Sequence, residues 1–349
     1  MGISLFAPKG GGLSGSIMKR RLCHTLENIT SIENLLAAWH GFLPGKRKKA
    51  DVQTFSHRLM DNVLVLHHDL SSGNYRHGLY THFRISDPKP RDIHKATVRD
   101  RLVHHAIYRV LYPFFSRTFI ADSYSCQLGK GTHRAMRRFK TFGNQVSRNN
   151  TRTCWVLKGD IRKFFASINH LILLRLLAAH IPDKRIIALL QEVIGSFSWV
   201  PGIGLPLGNL TSQLFVNVYM TPFDQFVKHH LKVKYYLRYA DDFVILSNNR
   251  QWLQNLVLQI AYFFDTKLHL ALHPRKVTIQ TLASGVDFLG WVHFPSHRVL
   301  RTSTKRRMFT RLAVHPEETT VQSYLGLLQH GDAHGLSEYV RNAAWLQGE

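Results

Sequence analysis

Two apolar, β-rich runs, Val233 to Arg238 and Phe243 to Ser247, are separated only by Tyr239, Ala240, Asp241 and Asp242. A connection that short joins antiparallel neighbours, so it predicts a hairpin. Its tip carries two consecutive acids, and like charges so close repel unless cations neutralise them. Alone, the pair also fits a solvated turn, because Asp favours turns. Asp160 shifts the balance: it follows another β-rich run, Cys154 to Lys158, which predicts a neighbouring strand of the same sheet. Three carboxylates converging on one sheet edge match a two-magnesium site, with Asp160, Asp241 and Asp242 as metal ligands and catalytic residues. Neither motif contains a His or Cys to compete for the ion.

The charge balance points the same way. Lys and Arg number 46 against 22 acids, a net charge of +24 spread along all 349 residues. Such a surface repels itself and is suited to a polyanion, whose condensed counterions are released on binding. An anionic membrane would attract it too, but no apolar run approaches the roughly 20 residues of a spanning helix. Phe6 stands where a myristoylation site after Met1-Gly2 needs Ser or Thr. Cys23, Cys126 and Cys154 are far apart, which fits a reducing, cytoplasmic setting. Adjacent histidines at 67–68, 104–105 and 229–230 read as surface or polar-network residues.

Residues 1–17 are Gly/Ser-rich and read as a flexible leader. Phe55, Leu59, Val63, Leu66 and Leu70 follow helical spacing, predicting one amphipathic helix from Val52. Ser86 to Arg91 reads as a Pro-punctuated basic stretch. Helices are expected at 98–111, 169–180, 184–194, 210–231 and 252–268, a glycine loop at 202–208 and a last strand at 286–293. A basic helical module follows from 298. There are no internal repeats.

Asp160-Ile161-Arg162-Lys163-Phe164-Phe165 resembles the first palm motif of the reverse transcriptase family, and Tyr239-Ala240-Asp241-Asp242 resembles its catalytic hairpin. The resemblance implies an α+β right-hand polymerase: an N-terminal helical region and fingers at 18–152, a palm with an antiparallel sheet at 153–297 that includes part of the fingers at 170–200, and a short helical thumb at 298–349. It implies that two Mg2+ ions are held by Asp160, Asp241 and Asp242 with help from the Ile161 carbonyl. Phe165 falls where the family places a bulky gate beside the sugar 2′ position; without the motif it reads as core. Lys276, in His273-Pro274-Arg275-Lys276, falls near the leaving pyrophosphate as a general acid or charge stabiliser, and otherwise reads as a solvated lysine. Phe288-Leu289-Gly290 resembles the primer grip. Lys89 and Arg91 resemble the fingers residues that hold the incoming triphosphate.

A narrower resemblance lies in Arg99 to Ala106, in Asp122 to His133 and above all in Leu207-Gly208-Asn209-Leu210-Thr211-Ser212-Gln213. These stretches are similar to the reverse transcriptases of diversity-generating retroelements. The glycine loop can be a plain turn, but its place between Asp160 and the hairpin reads as a substrate loop, with Leu207, Gly208 and Gln213 at the nucleotide. Most other family members have Gln where Leu207 stands, and leucine offers only shape. The resemblance implies error-prone copying at template adenines for mutagenic retrohoming, in a bacterial or phage-encoded protein. Its implied partners are template RNA, the cDNA or primer, deoxynucleoside triphosphates, and a small basic oligomeric accessory protein, the accessory variability determinant. Rival readings are a defence-type or group II intron-derived bacterial enzyme and, from another class, a non-catalytic RNA-binding protein. No segment resembles a nuclease, integrase, maturase DNA-binding module or RNase H, so those activities are expected from elsewhere.

Overall fold

The apolar runs become strands and the periodic segments become helices, in the order of an α+β right-hand polymerase. The computed structural model describes residues 20–86 and 89–345; the expected leader and Asp87-Pro88 lie outside the described residues. The strands are β1 (Thr81–Ile85), β2 (Arg91–Lys95), β3 (Trp155–Asp160), β4 (Tyr236–Tyr239), β5 (Asp242–Ser247), β6 (Thr278–Thr281), β7 (Val286–Phe288), β8 (Trp291–His293) and β9 (Arg298–Leu300). They form a β1-β2 hairpin, a central sheet in the order β4-β5-β3-β6 and a small β7-β8-β9 sheet, all antiparallel.

Side chains alternate across the central sheet, and each face buries a different core. Leu157, Phe243, Ile245 and Ile279 face the helices Leu210–Gln225 and Arg250–Phe263. Val156, Leu237, Val244 and Leu246 face the Thr132–Ser147 helix, where they meet Phe139 and Phe142. A third core joins Trp291 and Leu300 to the helices Thr302–Val314, Glu318–Leu328 and His334–Trp345. Among the described residues, no helix is long and apolar enough to cross a membrane.

Several elements depart from the periodic reading. The helix expected from Val52 is two, Ala50–His57 and Leu59–Ser71, broken where Arg58 takes φ −121° and ψ 44°. The Asn62 amide binds the Phe55 carbonyl across this break, at 2.9 Å. The stretch Ser86 to Arg91 connects and enters the strands of the β1-β2 hairpin, which the sequence conceals because none of its strand side chains is fully buried. The helices expected to run to 231 and 268 finish in π-helical turns, Phe226–His230 and Phe264–Leu268. The single strand expected at 286–293 is a hairpin, since Leu289 (φ 53°) and Gly290 (φ 88°) are both left-handed, as a two-residue type I′ turn requires.

Candidate active site

Six consecutive residue pairs join β3 to β5, the last being Asp160 with Asp242. Because the period is two, this register puts both carboxylates on the same face. The hairpin is tighter than its sequence suggests: Tyr239 pairs with Asp242, leaving only Ala240 and Asp241 as the turn. Ala240 is left-handed, φ 55°, a conformation that costs a non-glycine residue about 1 kcal/mol. Burial, followed by the Asp160 charge, raises the Asp241 carboxyl above its usual range. Burial, with Asp241 and Asp160 also contributing, pushes Asp242 up to about 6, although Lys158 opposes the shift.

Cations surround the acids. Lys276 donates to both carboxylate oxygens of Asp160, at 3.0 and 3.1 Å. Its turn is fastened to the strand end because the His273 amide donates to the Asp160 carbonyl (2.8 Å) and the Arg162 amide to Ala271 (2.9 Å). Arg91, opening β2, lies close enough to lower the Asp241 pKa. Lys158 reaches from the carboxylate face to the Asp287 carbonyl, 2.7 Å.

The donor set suits magnesium, whose usual ligands are one or two carboxylates together with phosphates and water. Burial raises the pKa of both Asp241 and Asp242, with the neighbouring carboxylates adding to it, and a bound divalent cation would favour their charged forms. The three carboxylates are nevertheless less convergent than expected. Among the described residues, no group of three or more His, Cys, Asp or Glu forms a ready ligand cluster. Asp160 and Asp242 pair across strands, while Asp241 acts on them from the turn.

Residues 86–293, more than half of the chain, match the family described as reverse transcriptase (RNA-dependent DNA polymerase). The chain belongs to the reverse transcriptase family. Members of this family are nucleotidyltransferases that generally use divalent metals. The chain is 24% identical over 301 residues to Protein YkfC of Escherichia coli (strain K12), covering 75% of this chain and 77% of that protein. It is 23% identical over 288 residues to the Group II intron-encoded protein LtrA of Lactococcus lactis subsp. cremoris, covering 63% of this chain and 46% of LtrA. The solved structure of apo telomerase from Candida tropicalis aligns with a TM-score of 0.51 at 12% identity, covering 77% of this chain and 57% of that one, a likeness of fold alone. The chain thus spans less than half of LtrA and little more than half of the telomerase chain.

In this reverse transcriptase the glycine loop is stitched to the first palm motif. The Leu205 amide donates to the Phe165 carbonyl and the Gly204 amide to Ile168, both at 2.8 Å. The half-buried Phe165 ring packs edge-on to Phe164, with centroids 5.7 Å apart. Gly208 has φ 109°, and a Cβ there would meet Ile93 at 3.0 Å, so what approaches it is β2. The His94 amide donates to the Leu207 carbonyl, 3.1 Å, fixing the loop to the β1-β2 hairpin that carries Arg91. Gln213 is exposed near the start of an otherwise largely buried helix, and Lys89 is exposed beside β2. Ile161 is buried at the end of β3, in an isolated bridge to Leu272. Phe288 is fully buried against Phe139, centroids 5.5 Å apart, so its ring supports the hairpin whose turn Leu289 and Gly290 form.

Sequence reasoning missed the group beneath the hairpin. Arg238 and Asp224 are fully buried and joined by two bonds, Nε to Oδ1 at 2.8 Å and Nη2 to Oδ2 at 2.7 Å. The Tyr236 hydroxyl donates to Asp224 (2.7 Å), and Arg238 Nη1 donates to the Ala240 carbonyl (3.0 Å). An arginine in an apolar strand, one residue before Tyr-Ala-Asp-Asp, was the available signal, because a buried guanidinium needs an acid. The Asp122 to Ser125 stretch lies along the same strand: the Arg238 amide donates to Asp122 and the Tyr124 amide to Arg238, each at 3.0 Å.

Proposed function

We propose that this reverse transcriptase copies an RNA template into cDNA at the Asp160–Asp242 strand pair, with Asp160 and Asp241 holding two magnesium ions and Asp242 as the more peripheral acid. The observation that carries the reading is the meeting of β3 and β5 in a register that puts the carboxylates side by side, with Arg91 and Lys276 near them. When bound, magnesium supplies charge neutralisation and polarisation of the phosphate oxygens during in-line attack by the primer 3′ hydroxyl. The chain's own side chains divide the remaining work. Lys89 and Arg91 grip the triphosphate, Arg being able to do so bidentately. Lys276 turns its charge or proton to the leaving pyrophosphate. Phe165 crowds a ribose 2′ hydroxyl, and the Leu289–Gly290 turn seats the primer end. An N-terminal helical region and the fingers take residues 18–152, the palm 153–297 with part of the fingers at 170–200, and the helical thumb 298–349, and the enzyme works in the cytoplasm.

Primer extension by purified protein on a defined RNA template, with magnesium and either deoxynucleotides or ribonucleotides, tests the reading. Extension with deoxynucleotides is expected, and Asp241→Ala should reduce it by about a thousandfold. Unchanged extension by that variant defeats the catalytic assignment. Phe165→Ala should admit ribonucleotides.

The Leu207 to Gln213 motif supports the narrower reading of a diversity-generating retroelement enzyme, error-prone at template adenines and working with the accessory variability determinant. Leu207→Gln is then expected to lower misincorporation opposite adenine; an unchanged error spectrum removes Leu207 from the argument. Similarity to the Group II intron-encoded protein LtrA favours a second reading, an intron-derived enzyme of ordinary fidelity. Sequencing of the extension product separates the two.

A further inference from the structure

The polymerase reading leaves a second concentration of positive charge unused. A cavity of about 460 Å3 opens where the Thr132–Ser147 helix meets the β8-β9 turn and the end of the Glu318–Leu328 helix, and its lining includes Arg137, Lys140, Phe294, His297, Arg298 and His330. Among the described residues, Asp332 is the only acid in the lining, and no ion pair joins it to these cations. Among the described residues, Arg137 and Lys140 have no ion-pair partner, and Arg298 gives its Nε to the neutral His330 carbonyl. Burial and then the Arg137 charge hold Arg298 below its usual range. His330 is lowered first by burial and then by His133, Arg298 and Arg137. These groups repel one another, and the contacts that Arg298 makes with the Trp291 ring and the His330 carbonyl leave Arg137 and Lys140 unpaired among the described residues.

Shape adds to charge. His133, Arg137 and Lys140 recur at helical spacing and form a track about 10 Å long on one helix face. Rings border the cavity: His330, whose centroid is 3.7 Å from that of His133, and Phe294, which stacks on His297 at 4.8 Å. Alternating cations and ring faces are what a single strand engages, through its phosphates and its bases. The site is separate from the primer end, because the β8-β9 turn is at the opposite end of β8 from Leu289–Gly290.

We propose that this cavity holds a single-stranded segment of RNA outside the copying site, its phosphates on Arg137, Lys140 and Arg298 and its bases against the histidine and phenylalanine rings. The inference rests on the reading that the enzyme handles RNA. The test measures fluorescence anisotropy of a labelled single-stranded RNA, about 20 nucleotides long, from about 50 to 200 mM salt. It compares wild type, R137E/K140E, and a control with the same charge change at exposed Lys48 and Lys49, K48E/K49E. Arg137 and Lys140 are also exposed, so folding is expected to survive, and the milder R137Q/K140Q provides a second series. Relative to the control, R137E/K140E should bind about tenfold more weakly, and its log–log salt slope should be shallower by about 1.4, the value for two lost phosphate contacts. Extension of a saturating, pre-annealed primer–template should remain at the wild-type rate. The site is refuted if affinity and slope equal the control's, if inorganic tripolyphosphate displaces RNA at equal phosphate concentration, or if saturated extension is lost. Failure of the wild type to extend any primer would strike the polymerase reading instead, leaving the binding comparison to decide this one.

Discussion

Replacing Arg238 by methionine tests how the Asp241–Asp242 hairpin is held up. The side chain is fully buried, and so is its partner Asp224. Removing the guanidinium leaves a carboxylate in the core with only the Tyr236 hydroxyl as donor. Breaking a buried pair in this way costs about 3–5 kcal/mol, through the charge left behind more than through the lost attraction. The Ala240 carbonyl also loses its donor, adding about 1 kcal/mol. Against a total stability of about 5–15 kcal/mol, the single variant should be barely folded. R238M/D224L/Y236F removes the stranded charge and its hydroxyl together and should recover most of the loss, to within about 1–2 kcal/mol of wild type. Urea denaturation measures both. Primer extension adds a readout that stability alone would not move: the triple variant should fold yet extend poorly, because its left-handed turn no longer has an anchor. A single-variant cost under about 1 kcal/mol, or a triple variant no more stable than the single, would refute the reasoning.

Further outcomes follow from other sites. Gly159→Ala places a Cβ 2.2 Å from Cζ of Phe243, one residue from Asp160, so it should cost about 1–3 kcal/mol or more and depress extension, with partial recovery in G159A/F243A; wild-type behaviour would show that the sheet yields freely there. His104 and His293 are buried, and burial lowers their pKa values from 6.5 to about 3 and about 4. Depressed folded values mean that their stabilisation is complete above about pH 6.5 and is lost as pH falls towards 4, about 1.4 kcal/mol each at pH 5.5, so a melting temperature unchanged between pH 7.5 and 5.5 contradicts their burial. With a net charge of +24, RNA affinity should fall at least about a hundredfold between about 50 and 200 mM salt, and a flat titration would remove the basic surface from the binding argument.

The legible parts of the fold were those where burial writes a pattern. The apolar runs around Leu157 and Ile245 announced β3 and β5, and the charge pair between β4 and β5 announced the hairpin. The α+β polymerase class followed from motif order. The β1-β2 hairpin stayed hidden because it buries little, and an exposed strand needs no apolar alternation. In β6, Thr278 to Thr281 shows no run at all, since pairing with β3 places it. The sequence reads four residues as the turn between β4 and β5 because Tyr239 and Asp242 are polar; only the ladder reveals that they are paired. The burial of Phe288 was not legible, because a motif gives order along the chain but not depth below the surface. The Arg238–Asp224 pair joins a strand to a helix, a contact that local spacing cannot express.

The ladder between β3 and β5 also restricts how the enzyme can evolve. Inserting one residue between Asp242 and Phe243, inside the ladder, would turn Asp242 to the opposite side of the sheet while the buried residues of β5 keep their register. Substitutions can retune this strand, but changes in its length cannot accumulate one residue at a time. Lineages descended from it should therefore differ in length at their turns and surface loops while keeping the same residue count between Asp242 and Ser247.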